Sequence, residues 1–132
     1  MVSVFLVLTL AGFVQAAEHV HSHTMTPEMH RQHMAMDLTQ KEWTACRKSL
    51  SAGDFAAAGA SLLLLQKAAG ELEEFQPHRN AQRMEDFRKQ AQSFILNLSD
   101  LGKAIGERDK ARTQSLSRTI EKGCTQCHGA FR

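Results

Sequence analysis

The sequence predicts an all-α protein, an antiparallel four-helix bundle, and three observations favour this fold class. Apolar residues recur at spacings of three and four over long stretches, which is the period of an amphipathic α-helix. Residues that favour helices are common in the 132-residue chain, whereas Pro occurs only twice and Tyr is absent. No stretch shows the strict apolar and polar alternation of a half-buried strand. Because the breaks between the helical stretches are short, we expect neighbouring helices to run antiparallel.

Residues 1–16 are predicted to be a signal peptide. An apolar run from Val2 to Val14 has the length of a signal-peptide core, and the small residues Val14 and Ala16 fit a cleavage site after Ala16. The run is shorter than the roughly 20 apolar residues that span a bilayer. We therefore expect an exported, periplasmic protein with no stable membrane insertion after cleavage.

Residues 17–26 form a segment rich in His and Met before the first predicted helix. His19, His21 and His23 stand at alternate positions, followed by Met25. Imidazole and thioether groups suit copper and other transition metals, so one alternative function is a periplasmic metal-binding module that uses this segment. The other interpretation is a flexible mature N-terminus, because alternate histidines do not share one face of a helix.

Residues 27–132 are predicted to form one domain, whose first helix begins at Pro27 because Pro is favoured in the first turn. Its apolar positions at heptad spacing are Met29, Met36, Trp43 and Leu50, with Cys46 on the same face. The second helix is expected to begin at Asp54 and to end before Pro77. Its apolar face comprises Phe55, Ala58, Leu62, Leu65, Ala69 and Leu72, widened by Leu63 and Leu64.

The third predicted helix has Asn80 as its N-cap and stops at Gly106. Its apolar face is an unbroken series at 3-4 spacing, namely Met84, Phe87, Ala91, Phe94, Leu98, Leu101 and Ile105. The fourth helix is expected to run from about Asp109 through Leu116 and Ile120 into the last residues of the chain.

Those last residues contain the sequence Cys124-Thr125-Gln126-Cys127-His128. This CxxCH pattern is the signature of covalent c-type haem attachment. On a helix, residues at i, i+3 and i+4 share one face, so both cysteines can form thioethers with the haem vinyl groups while His128 points at the iron. We therefore predict one covalent haem c near the C-terminus, with His128 as the proximal ligand.

Two other uses of these residues are possible from the sequence alone. Cys46, Cys124, Cys127 and His128 together make a Cys3His set of the kind that binds structural zinc. The second use is a thioredoxin-like redox pair. Such a pair needs its first Cys at the start of a helix, whereas this motif stands at the end of a helical pattern. Cys46 itself is expected to be a buried thiol, or to form an intermolecular disulfide if its face is exposed.

The four predicted helices, the single CxxCH in the last of them and the ending Cys-His-Gly-Ala-Phe-Arg resemble the class II cytochromes c, the cytochrome c-prime and cytochrome c-556 group. The resemblance covers the whole mature chain. It implies that Arg132, a basic residue four positions after His128, stands near the proximal face of the haem. The pair Arg31-Gln32 is also similar to the family, which places its distal haem residue about one turn later.

The resemblance does not select one distal ligand, because the position four after Arg31 is Ala35, between Met34 and Met36. Met36 shares the predicted inner face of the first helix and is the first candidate, whereas Met34 lies on another stripe and is the second. His33 is the third candidate, with His30 beside it. If no side chain binds the iron, the expected protein is a five-coordinate, cytochrome c-prime-like binder of NO or CO.

The composition favours electron transfer over catalysis. No Ser, His and Asp set and no pair of acid-base carboxylates accompanies the motif, so we expect a carrier of one electron per haem and not an enzyme. A formal net charge of +2 does not indicate nucleic-acid binding. A redox partner protein is expected, and the sequence leaves open whether the protein forms a homodimer. Basic residues that would steer an acidic partner are Arg108, Lys110, Arg112, Arg118 and Lys122.

Overall fold

Residues 25–132 are described by a computed structural model, and all regular secondary structure in this range is helical. The predicted signal peptide and the histidines at 19, 21 and 23 lie outside the described residues. Four α-helices account for most of the range: α1 (Pro27–Ser51), α2 (Phe55–Ala69), α3 (Met84–Gly106) and α4 (Lys110–Phe131). The all-α, four-helix prediction is therefore confirmed. Within residues 25–132, no helix is long and apolar enough to cross a membrane.

Three of the helices begin where the sequence predicts, each with a side-chain cap. Thr26, Asp54 and Asp109 precede α1, α2 and α4, and each accepts a hydrogen bond of 2.9–3.1 Å from the backbone amide three residues on. A cap of this kind satisfies one amide that the first turn leaves without a partner, and contributes about 1 kcal/mol. Between α1 and α2, Gly53 adopts a φ of +74°, which glycine permits without strain.

The start of α3 and the length of α2 differ from the predictions. Asn80 does not cap α3: its φ is 55°, its side chain donates to the Ala130 carbonyl, and a 3₁₀ turn at Ala81–Arg83 separates it from the helix. The α2 helix ends at Ala69, and a second 3₁₀ turn at Leu72–Glu74 places Leu72 in the core. Gly70, a poor helix former, follows the last residue of α2.

Contacts between the helices show that α3 runs opposite to both α2 and α4. Gln66 of α2 donates to the Leu98 carbonyl of α3, while a Cβ added at Gly102 would lie 3.4 Å from Leu62. The start of α3 meets the end of α4, where the rings of Phe87 and Phe131 pack edge to face with centroids 5.4 Å apart. These pairs give the antiparallel arrangement that the short connections predict.

The core lies along the predicted inner faces. It contains Trp43, Cys46, Leu62, Leu65, Phe75, Phe87, Leu98, Leu101, Ile120 and Phe131, among others. The expectation that Leu63 and Leu64 widen the apolar face of α2 is wrong, because these side chains are 69% and 52% exposed. They lie on the side of α2 that no other helix covers in the described part of the chain.

Candidate haem site

The CxxCH motif lies inside α4, close to its C-terminal end. Cys124, Cys127 and His128 are each partly buried, and the two cysteines pack against the hydrophobic core. They occupy one face because residues three and four apart meet on a helix. Phe131 is almost fully buried and anchors the end of the helix that carries them. Two thiols and an imidazole are thus presented together on a half-buried helix face.

The protonation states of the motif suit attachment and ligation more than redox catalysis. Burial raises the pKa of both Cys124 and Cys127, and none of the described cysteines is in a disulfide. A reactive thioredoxin-like thiol needs a lowered pKa at a helix N-terminus, whereas Cys124 lies well inside α4. The structure therefore argues against the thioredoxin-like alternative.

His128 is held in the form that binds a metal. Burial, and then the positive charge of Arg132, lower the pKa of the His128 imidazole. Both effects disfavour the imidazolium, so the ring is neutral at pH 7 and keeps a lone pair for a ligand bond. Arg132 is exposed and lies one turn beyond His128.

A segment far away in the sequence fixes the end of α4. The Arg79 amide donates to the Phe131 carbonyl at 3.1 Å, and the Arg79 guanidinium donates to the Gly129 carbonyl at 3.2 Å. The Asn80 side chain donates to the Ala130 carbonyl at 2.6 Å. Carbonyls of the last turn have no partner within a helix, so these three bonds replace water there. We call residues 76–80 the connector segment.

The candidate distal ligands lie at the same end of the bundle. Arg47, near the C-terminal end of α1, forms an ion pair with Glu121, which lies one turn before Cys124 in α4. Because the two helices run antiparallel, moving back along α1 from Arg47 to Met36 corresponds to moving forward along α4 from Glu121 to its end. The first half of α1 therefore lies beside the end of α4 that carries the motif.

The candidates differ in their surroundings. Met36 is partly buried and packs against the core, whereas Met34 is 59% exposed. His30 is exposed on α1. His33 is also exposed, and its Nε2 lies 3.3 Å from Nε2 of His78 in the connector segment. Because an iron ligand must reach the interior of the bundle, the partial burial of Met36 favours it over the three exposed candidates.

The donor set is compatible with a c-type haem. Two protonated thiols and a neutral imidazole share one face, and the thioether of Met36 stands on the neighbouring helix. One turn after Met36, the Thr39 hydroxyl is buried with no hydrogen-bond partner in residues 25–132. Buried hydroxyls without a protein partner are commonly satisfied by water or a ligand, so Thr39 fits a bound group on this face of α1.

The alternative zinc site is not formed. Within the described residues, no three His, Cys, Asp or Glu side chains are arranged to hold a metal ion. Cys46 is fully buried in the core, and burial raises the pKa of its thiol to about 11. Cys46 is therefore a protonated thiol in the core and does not join the motif. This agrees with the first of its two predicted roles, the buried thiol.

The basic residues predicted to steer a partner are divided between the two ends of α4. Arg108, Lys110 and Arg112 lie at its start, about 20 Å along the helix axis from the motif. Arg112 is paired with Glu107 at 3.0 Å. Only Arg118 and Lys122 lie within about two turns of Cys124. Of the five residues, these two are therefore the ones placed to attract an acidic partner towards the motif.

Comparison of the chain with protein-family models, with curated proteins and with solved structures finds no match.

Proposed function

We propose that this protein is a periplasmic c-type cytochrome of the class II kind, which carries one electron on a single covalent haem. The observation that carries the proposal is the arrangement of Cys124, Cys127 and His128 on one half-buried face of α4. The zinc and thioredoxin-like alternatives each require an arrangement that differs from the one observed. When bound, a haem supplies the ferric/ferrous couple for electron transfer.

The residues of the chain have separate roles in this proposal. Cys124 and Cys127 would each add a thiol to a haem vinyl group, and His128 would give an imidazole nitrogen to the iron. Met36 would give a soft sulfur ligand, which favours the reduced state and excludes small ligands. The hydrogen bonds of Arg79 and Asn80 to the last turn of α4 keep His128 in place. The buried apolar neighbours of the motif exclude water.

The proposed location also depends on the sequence before the described residues. The apolar run from Val2 to Val14 supports export, and c-type haem is attached outside the cytoplasm. A redox partner protein follows from the electron-carrier role. The exposed residues Arg118 and Lys122 favour an acidic surface on that partner.

The attachment test compares cysteines inside and outside the motif. The chain is expressed with a c-type haem maturation system, and the product is denatured in acidified acetone. We expect the haem to stay with the unmutated protein and with Cys46→Ala, because thioether bonds survive unfolding. In the double variant Cys124→Ala, Cys127→Ala, we expect all haem to be extracted. A pyridine haemochrome spectrum measures the retained fraction.

The matched control decides the outcome. Cys46→Ala removes one thiol from the core but leaves the motif complete. If the unmutated protein retains no haem, or if Cys46→Ala loses it as completely as the double variant does, the proposed attachment is wrong.

A further inference from the structure

A pair of histidines connects two separate parts of the fold. His33 stands on α1 and His78 in the connector segment, 45 residues apart in sequence. Their Nε2 atoms are 3.3 Å apart, and the ring centroids are 5.3 Å apart with an angle of 60° between the planes. Both rings are exposed to solvent. Each therefore directs the same nitrogen towards the other, at a place that ions in solution can reach.

The separation of the two nitrogens matches that of two ligands on one metal ion. With a Zn–N bond of about 2.0–2.1 Å, two imidazole nitrogens in a tetrahedral site lie roughly 3.3–3.4 Å apart. The observed Nε2 to Nε2 distance is 3.3 Å. We propose that His33 and His78 form a two-imidazole site for a divalent transition-metal ion such as Zn²⁺ or Cu²⁺, with water as the other ligands. Each ring keeps its one proton on Nδ1 in this site, which leaves both Nε2 lone pairs for the metal.

The residues beside the pair hold the two histidines in position. Gln32, the buried neighbour of His33, donates to the Gln76 carbonyl at 2.9 Å. Pro77 is buried next to His78, and the following residue, Arg79, is bonded to the end of α4. His78 thus lies between two anchored residues. The backbone that carries the two histidines is therefore ordered before a metal binds. Preorganised ligands bind a metal more tightly because binding costs them less conformational entropy.

This proposal does not depend on haem, and its test must exclude the histidines before the described residues. The full-length haem protein with His19, His21 and His23 replaced by Gln serves as the parent. Zn²⁺ alone is titrated into it by calorimetry, and we expect one ion to bind. His33→Gln and His78→Gln in the parent should each weaken binding at least tenfold. Circular dichroism checks that the helices persist in each variant.

His30→Gln is the matched control, since His30 is an exposed histidine one turn from His33 on α1. It should bind Zn²⁺ within about twofold of the parent. Cu²⁺ in the parent should give an electron paramagnetic resonance spectrum with nitrogen couplings that His33→Gln removes. The proposal is overturned if the parent binds no Zn²⁺, if His33→Gln and His78→Gln bind like the parent, or if His30→Gln weakens binding equally.

The haem spectrum separates this site from haem ligation. If His33→Gln weakens Zn²⁺ binding and leaves the visible spectrum unchanged, His33 serves the metal site. If it changes the haem spin state, His33 is an iron ligand and the proposed metal site is wrong. If haem does not attach, the free thiols of the motif could bind Zn²⁺ themselves. The titration is then run on the parent with Cys124 and Cys127 also replaced by Ala, so the two proposals fail separately.

Discussion

Met34 and Met36 are two residues apart on α1, yet their side chains meet different surroundings. Met36 packs against the core, and Met34 is 59% exposed. A helix turns about 100° per residue, so side chains two positions apart point to different sides of the helix. An iron ligand in the bundle must come from the inner side. Substitution of each methionine in turn therefore tests which one is the distal ligand of the proposed haem.

Replacing Met36 by Ala should convert a six-coordinate, low-spin haem to a high-spin haem that binds carbon monoxide. The reason is that a thioether on the iron occupies the position that carbon monoxide needs. Absorption spectra of the ferric and ferrous protein, with and without carbon monoxide, measure the change. Met34→Ala is the matched control and should keep the low-spin spectrum.

Other outcomes identify other ligands. A high-spin, carbon monoxide-binding spectrum in the unmutated protein indicates an open distal side, as in the cytochrome c-prime alternative. A change of spin state only in His33→Ala or His30→Ala indicates a bis-histidine haem. Either result rules out Met36 as the distal ligand.

At the scale of elements, the connector segment is bonded directly to the end of the helix that carries the motif. Its residues Arg79 and Asn80 supply three hydrogen bonds to the last turn of α4, where a helix alone leaves the carbonyls without partners. Asn80 does this from a left-handed conformation with φ at 55°. Asn tolerates that conformation better than other residues with a side chain, apart from Asp.

Substitutions of Asn80 should separate its hydrogen bond from its conformation. Asn80→Gly loses the bond to Ala130 but keeps the backbone unstrained, so we expect a loss of about 1 kcal/mol in unfolding free energy. Asn80→Ala adds the strain of a left-handed Ala, roughly 1 kcal/mol more. Urea denaturation measures both losses. Equal stability of both variants and the unmutated protein would show that this bond does not hold α4.

The elements differ in how far the sequence alone predicts them, and the difference follows from distance along the chain. Thr26, Asp54 and Asp109 cap amides three residues away, so a local pattern identifies three helix starts. Asn80 looks like a fourth cap by the same rule. Its partner, Ala130, lies 50 residues further on, and no local pattern indicates that bond.

The candidate site shows the same division. The CxxCH motif is a local pattern and is readable directly from Cys124, Cys127 and His128. The pairing of His33 with His78 is not predictable from sequence, because it depends on how α1 lies against the connector segment. Hydrophobic periodicity located the inner faces of the helices. It did not show that Leu63 and Leu64 lie outside the packed region.

For the molecule as a whole, Cys46 couples the stability of the bundle to alkaline pH. Its thiol is fully buried among core residues, and burial raises its pKa from 9.0 to about 11. The chain has no Tyr, and the other two cysteines carry no free thiol once they are in thioethers. In the proposed haem protein, Cys46 is therefore the one thiol whose pKa differs between the folded and the unfolded state.

The direction of the effect follows from proton binding. Between pH 9 and 11 the folded state keeps the Cys46 proton and the unfolded state loses it, so raising the pH favours unfolding. The contribution of this thiol to the unfolding free energy is complete below pH 9 and is lost as the pH rises through about 11. We expect the unfolding free energy of the haem protein to fall by roughly 2 to 3 kcal/mol more than that of Cys46→Ala over this range. Urea denaturation at pH 8, 9, 10 and 11 measures both slopes. The cavity left by Ala lowers stability by a similar amount at every pH, so parallel slopes for the two proteins would contradict a buried, protonated Cys46.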